Sequence, residues 1–320
     1  MNRFLIILSI GAMMVAACQK DVQVAQDFQV VDFSVVLPDA VGTKATTLGS
    51  GEKATQLYYA VYRGTSNEEG AVVERVEPMN VPDQPIAMSG KKAKVSLKLV
   101  KGVKYDIVFW AQAPDAPYAF DMEKGKVTVT DAYSGTTVIA NDELRDAFCA
   151  LVDDYEVTSE PLSVPMFRPF AQINFCADDY KRVTDLHLSM TSSIQTAQAM
   201  VPSVLNLLTG AVDTPVNVQF VATAVPAASG ETLNIQVDGV SKEYSVVSMN
   251  YILADKVSAN IDVLTATFNY NGESVVIDVP NVPYQRNWRT NIYGSLFTDV
   301  AVFDIEIKPA FLADENKNYK

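Results

Sequence analysis

Apolar and polar residues alternate with a period of two in short runs along most of the chain. In "KVSLKLV", Val95, Leu97 and Leu99 fall on one face and Lys94, Ser96 and Lys98 on the other. That is the pattern of a strand with one buried side. The runs "YDIVFWAQ", "GKVTVT", "FAQINF", "TDLHLSM", "VNVQFVAT" and "TLNIQV" repeat it, split by Gly, Pro, Asn and Asp. Asn271-Gly272 separates two apolar runs and predicts a tight hairpin. The run "VFDIEI" puts Phe303, Ile305 and Ile307 on one face. Short strands at close spacing predict a mainly β protein of sandwich architecture.

One segment departs from the alternation. In "NDELRDAFCALVDDY", Leu144, Phe148 and Leu151/Val152 recur at helical spacing, with Asn141 or Asp142 placed to cap the start. This predicts one short amphipathic helix packed on the first sandwich. Pro161, Pro165 and Pro169 punctuate "EPLSVPMFRPF" before a new strand series opens at Phe170. The expected units are therefore an N-terminal β-sandwich over 28–165 and a C-terminal one over 166–320.

The first residues read as a secretory signal: Arg3 is basic, and Phe4 to Val15 is an apolar run too short to span a bilayer. Val15-Ala16-Ala17-Cys18 resembles a bacterial lipobox. The resemblance implies a signal over 1–17, acylation of Cys18 and a polar tether over 18–27. Acyl chains contribute about 0.8 kcal/mol per buried methylene, so several would fix the chain on a membrane. Gln19 at the second mature position does not favour inner-membrane retention, and Lys20-Asp21 resembles in part the charged export signal of Bacteroidales surface lipoproteins. The expected location is the bacterial outer membrane or cell surface, lipid-anchored.

Cleavage before Cys18 would remove 17 of 320 residues and leave 303, a length natural for two β domains. Losing Arg3 takes Lys+Arg from 25 to 24 against 38 acidic residues, a net charge of −14. A chain so acidic is a poor partner for nucleic acid. Cys149 and Cys176 sit inside apolar patterns and fit buried free thiols better than a disulfide.

Candidate chemistry is sparse. The single histidine, His187, alternates onto the polar face of its run with Asp185 and Ser189, and no nucleophile motif accompanies it. One histidine without a Cys-x-x-Cys pair does not make a zinc site. The pairs Asp153-Asp154 and Asp178-Asp179 lack the alternating ligands of a calcium loop and read as solvated turns. Trp110 and Trp288 lie in apolar segments and read as packing residues. No glycine-rich phosphate loop is present. These features point to a non-enzymatic role and call for no cofactor.

Four segments, in order, resemble the fimbrillin-like lipoproteins of Bacteroidales, the type V pilus subunits and their relatives. "VPYQRNWRTNIYGSLFTD" resembles that family's closing block and "VFDIEIKPAF" its final strand. "MFRPFAQINF" resembles the inter-domain strand, and "TKATTLGSGEKATQLYYAVY" the first strand-loop-strand region. The resemblance implies two tandem transthyretin-like β-sandwiches. It also implies strand exchange: a protease, usually arginine-specific, cuts after the first strand, and a strand of the next subunit replaces it.

On that scheme "DFQVVDFSVVLP" is the first strand, a removable edge element with Val31, Phe33, Val35 and Leu37 toward the core. The loop after it carries Lys44 and Lys53 as its basic residues and no arginine. Either a lysine-tolerant protease acts there, or the chain is an anchor or accessory subunit that keeps its strand. The leading expectation is a fimbrillin-like pilus anchor or minor subunit that meets other fimbrial subunits. The rival is a non-polymerising surface lipoprotein that binds a host glycan or protein through exposed aromatics among Tyr58, Tyr62, Trp110 and Trp288.

Overall fold

The computed structural model describes residues 27–38, 48–64, 74–79, 82–184, 189–298 and 300–309. Within them the chain is mainly β. The first strand, Phe28–Val36, lies between Lys92–Val100, antiparallel to it, and Leu162–Pro165, parallel to it. This small sheet faces a second one ordered Phe148–Glu156, Lys104–Gln112, Gln56–Arg63, Glu74–Val76. Between them pack Val31, Phe33, Val35, Val95, Leu97, Leu57, Tyr59, Ile107 and Phe109.

Alternation explains how these elements form. In Lys92–Val100 the odd-numbered residues from Ala93 to Leu99 are buried, and the even-numbered ones are half-buried or exposed. Lys104–Gln112 differs, because every residue after Lys104 is buried. Ile107 and Phe109 enter the first core, whereas Val108 and Trp110 point into a second, larger one. A strand covered on both faces reads as a continuous apolar run.

The C-terminal half holds a five-stranded sheet ordered Thr232–Val237, Val240–Leu253, Phe170–Ala177, Arg289–Ser295, Val302–Lys308. A second sheet runs from Glu273–Tyr284 through Ala259–Tyr270 and Thr191–Thr196 to Gln219–Val221. The predicted hairpin joins two of these strands, with Asn271 at φ 49° and Gly272 at φ 77°. Both residues of such a turn need positive φ, which Asn and Gly tolerate best.

Strand pairing continues across residue 165. Ser134–Ile139 runs parallel to Gln219–Val221 at the edge of the second C-terminal sheet. The Tyr118–Asp121 and Lys126–Val129 hairpin extends Val201–Asn206 and Val212–Val216 into one four-stranded sheet. The larger core correspondingly runs from Leu48 through Trp110 and Phe170 to Leu296.

The helix expected over 141–155 is not formed. Asp142 does cap a turn, accepting the Leu144 N–H at 2.9 Å, but that turn is a single 3-10 turn, Glu143–Arg145. The chain then extends as the Phe148–Glu156 strand. Phe148 and Ala150 pack in the first core and Cys149 in the second. The apparent helical spacing arose from a strand with neighbours on both faces. The described α-helix is Tyr180–Thr184, in the other half.

Candidate functional site

The first strand brings its four predicted residues together. Val31, Phe33 and Val35 are at most 1% exposed, and Leu37 is 2% exposed. Phe33 meets Tyr155 edge-on at 5.5 Å and Phe109 at 5.9 Å. The strand is central rather than an edge. All nine residues pair with Lys92–Val100, and Phe33 to Val36 also pair with Leu162–Pro165. The partner on the second side comes from far downstream, which local pattern cannot reveal. Removing the strand would leave two facing backbone edges and an apolar floor of Val95, Leu97, Tyr59 and Phe109.

Beyond the strand, Cys18 and Lys44 lie outside the described residues, as does His187. Lys53 is exposed, beside the buried Ala54. The segment just before it is tightly held. Leu48 is buried in the larger core. The Gly49 N–H donates to the Glu143 carboxylate at 3.1 and 3.3 Å, and the Gly49 carbonyl accepts from Arg168 Nη2 at 2.5 Å. Gly51 has φ +75°, and a Cβ there would lie 2.9 Å from the Phe148 ring.

Arg168 anchors this cluster. Its Nε donates to Asp146 Oδ1 at 2.6 Å and its Nη2 to Oδ2 at 2.9 Å. Its guanidinium carbon lies 4.5 Å from the centre of the Phe148 ring. Burial works against its charge, yet Asp146, together with Tyr251 and Glu143, raises its pKa. Glu143 is pushed the other way from an ordinary carboxylate, up to about 8, first by burial and then by Asp146. The Tyr251 hydroxyl donates to Glu143 at 3.3 Å and accepts from Gln172 Nε2 at 2.9 Å. Arg289 Nε in turn donates to Gln172 Oε1 at 2.5 Å. Sequence reading missed this network, because its bonded pairs stand up to 119 residues apart.

The arginines and asparagines of "RNWRTN" are structural in this setting. Arg286 donates to the carbonyls of Ala254 at 3.0 Å and Gly210 at 2.7 Å. Asn287 accepts the Arg168 N–H at 3.3 Å. Asn291 Nδ2 donates to Glu306 at 2.9 Å. Gly294 pairs with Phe303, so closely that a Cβ would lie 2.1 Å from the Val302 carbonyl.

The aromatics expected to form a platform are not exposed. Trp110 and Tyr62 are fully buried, with Trp110 Nε1 donating to Gln112 at 2.6 Å and the Tyr62 hydroxyl to the Met122 carbonyl at 2.6 Å. Tyr58 and Trp288 are half-buried. The solvated reading of Asp178-Asp179 fails for Asp179, which is buried and accepts the N–H groups of Leu296 at 3.1 Å and Phe297 at 2.8 Å. Asp153 and Asp154 are half-buried, and Asp154 pairs with Lys104 at 2.5 Å. Cys149 and Cys176 are free and buried, and burial pushes both thiols up to about 12. Among the described residues no group of three or more His, Cys, Asp or Glu is placed to hold a metal, and no helix is long and apolar enough to cross a membrane.

Residues 24–320 match the family of unknown function DUF6562. The chain belongs to that family. No curated protein matches this DUF6562 chain. Solved structures that align with it include the tip fimbrial protein Mfa3 from Porphyromonas gingivalis with C-terminal truncation. That alignment has 12% identity and a TM-score of 0.44, over 87% of this chain and 99% of that one. A fimbrial protein from Bacteroides vulgatus aligns at 7% identity and a TM-score of 0.44, over 86% and 98%. A fimbrial assembly protein from Parabacteroides distasonis aligns at 14% and 0.38, over 88% and 95%. These are Bacteroidales fimbrial proteins, the group that the sequence motifs resemble.

Proposed function

We propose that the chain is a fimbrillin-like adhesion subunit of the cell surface that assembles with other fimbrial subunits by exchange of its first strand. In this reading it is held at the outer membrane by acyl chains on Cys18, and it is built of tandem transthyretin-like sandwiches whose strands pair across residue 165. The supporting observation is the position of Phe28–Val36. It is terminal in the described chain yet central in its sheet, and it is bonded on both sides. A strand so placed is replaceable only by another strand, because an empty slot exposes unpaired backbone groups along both neighbours.

With no arginine in the loop, an arginine-specific cut has no target there. A cut at Lys44 or Lys53 also frees the segment that carries Cys18, so the role assigned is a minor subunit where a lysine-tolerant protease acts and an anchor that keeps its strand where none does. A glycan-binding role loses its main support, because Trp110 and Tyr62 are buried. The test is deletion of residues 28–38. The truncated chain is expected to be destabilised, and to be restored by a synthetic peptide of that sequence or by a second copy. A truncated chain that stays monomeric with unchanged stability overturns the reading.

A further inference from the structure

Leu48 opens the Gly- and Ser-rich stretch "LGSG". Such a stretch is ordinarily loosely held. Here Leu48 is in the core, both backbone groups of Gly49 are bonded to side chains, the half-buried Glu143 and the buried Arg168, and Gly51 fits under the Phe148 ring. Three residues grip it, Glu143, Phe148 and Arg168, and Asp146, from the same short segment as Glu143 and Phe148, holds Arg168 in place.

We propose that Glu143, Asp146 and Arg168 form a clasp on Leu48–Gly51 that retains the first strand, and that rising pH opens it. The proposal rests on the reading of the first strand as exchangeable. A strand that departs with the chain as far as Lys53 must draw Leu48–Gly51 out of the clasp. That movement strips the Gly49 N–H from Glu143 and uncovers the half-buried carboxyl group further.

Glu143 is the group that senses pH. It faces Gly49 from the loop and the Tyr251 hydroxyl from Val240–Leu253. Asp146 and the Arg168 guanidinium act on it from its other neighbours, and Arg289 acts on the cluster from beyond Gln172. When Glu143 is neutral, Asp146 alone balances Arg168. When it ionises, two carboxylates share one buried guanidinium.

The closed clasp holds its Glu143 proton up to about pH 8, against an ordinary 4.5. The open state releases that proton first. Closure is therefore fully favoured below the ordinary value and weakens as pH rises toward about 8, with no further change above.

Hydrogen exchange of the full chain tests the clasp. Between about pH 6.5 and about pH 9, the Leu48–Gly51 amides should lose about thirtyfold of their protection beyond the intrinsic change. Glu143→Gln should abolish that dependence, while Tyr251→Phe should keep it in a shifted range. A second arm cleaves at Lys53 and follows uptake of a labelled peptide of residues 28–38. Uptake should be faster at the higher pH in the parent and independent of pH in Glu143→Gln. Equal protection at both pH values, or the same dependence in Glu143→Gln, overturns the clasp. Uptake equally fast at both values also overturns it while leaving strand exchange standing. A pH-dependent clasp with no uptake at any pH supports the clasp and sinks strand exchange.

Discussion

Arg168 and Asp146 meet in a two-pronged ion pair with both side chains 1% exposed. A buried pair is not a large net source of stability, but breaking one leaves an uncompensated charge in the core. Asp146→Ala should therefore cost about 3–5 kcal/mol. Replacing both partners with apolar residues of similar volume should cost much less. Urea denaturation of the three chains gives the comparison.

Phe33 and Val30 lie in the same strand on opposite faces, with Phe33 fully buried and Val30 50% exposed. Phe33→Ala should lose about 3–5 kcal/mol through lost burial and the cavity left behind. Val30→Ala should stay within about 0.5 kcal/mol, as exposed substitutions usually do. Equal losses at the two sites would mean that the register with Lys92–Val100 is wrong.

The two buried thiols should be inert in the folded chain. Burial pushes Cys149 and Cys176 up to about 12, so almost no thiolate exists at neutral pH. A thiol reagent should leave both unmodified until denaturant is added and should then modify both together. Early modification of either one would place it at the surface.

Gly294 tests the closing strand. A Cβ there would lie 2.1 Å from the Val302 carbonyl and 2.8 Å from Phe303 Cα. Both are backbone atoms, so no side-chain rotation relieves the contact. Gly294→Ala should displace Val302–Lys308 and cost about 3 kcal/mol or more, at the upper end for overpacking. Loss of protection at Ile305 and Ile307 in hydrogen exchange would localise the damage.

The strands that alternate cleanly were legible from sequence. Lys92–Val100 and the first strand have one buried face each, and the Asn271-Gly272 turn carries its own signal. The strand with two apolar neighbours was not: its first part, from Phe148 to Val152, has no polar face for period two to mark, so it mimicked a helix. The inward residues of the first strand were also readable, because alternation alone assigns Val31, Phe33 and Val35. Its central position depends on Leu162–Pro165, and the clasp depends on Gly49, Glu143 and Arg168 converging. Both are long-range pairings, which local pattern cannot encode. The burial of Asp179 was hidden likewise, since the N–H groups that satisfy it belong to Leu296 and Phe297.

The placement of Phe28–Val36 also fixes how the molecule bears tension. A pull on the amino-terminal end, directed along the strand, loads its hydrogen bonds to Lys92–Val100 and to Leu162–Pro165 sideways and all together. Bonds loaded in that geometry share the force and must fail as a set, whereas bonds peeled from one end fail singly. The next grip among the described residues is Leu48 and the Gly49 bonds to Glu143 and Arg168. The fold therefore meets traction from its amino-terminal side with two resistances in series, a sheared strand and then a side-chain hold.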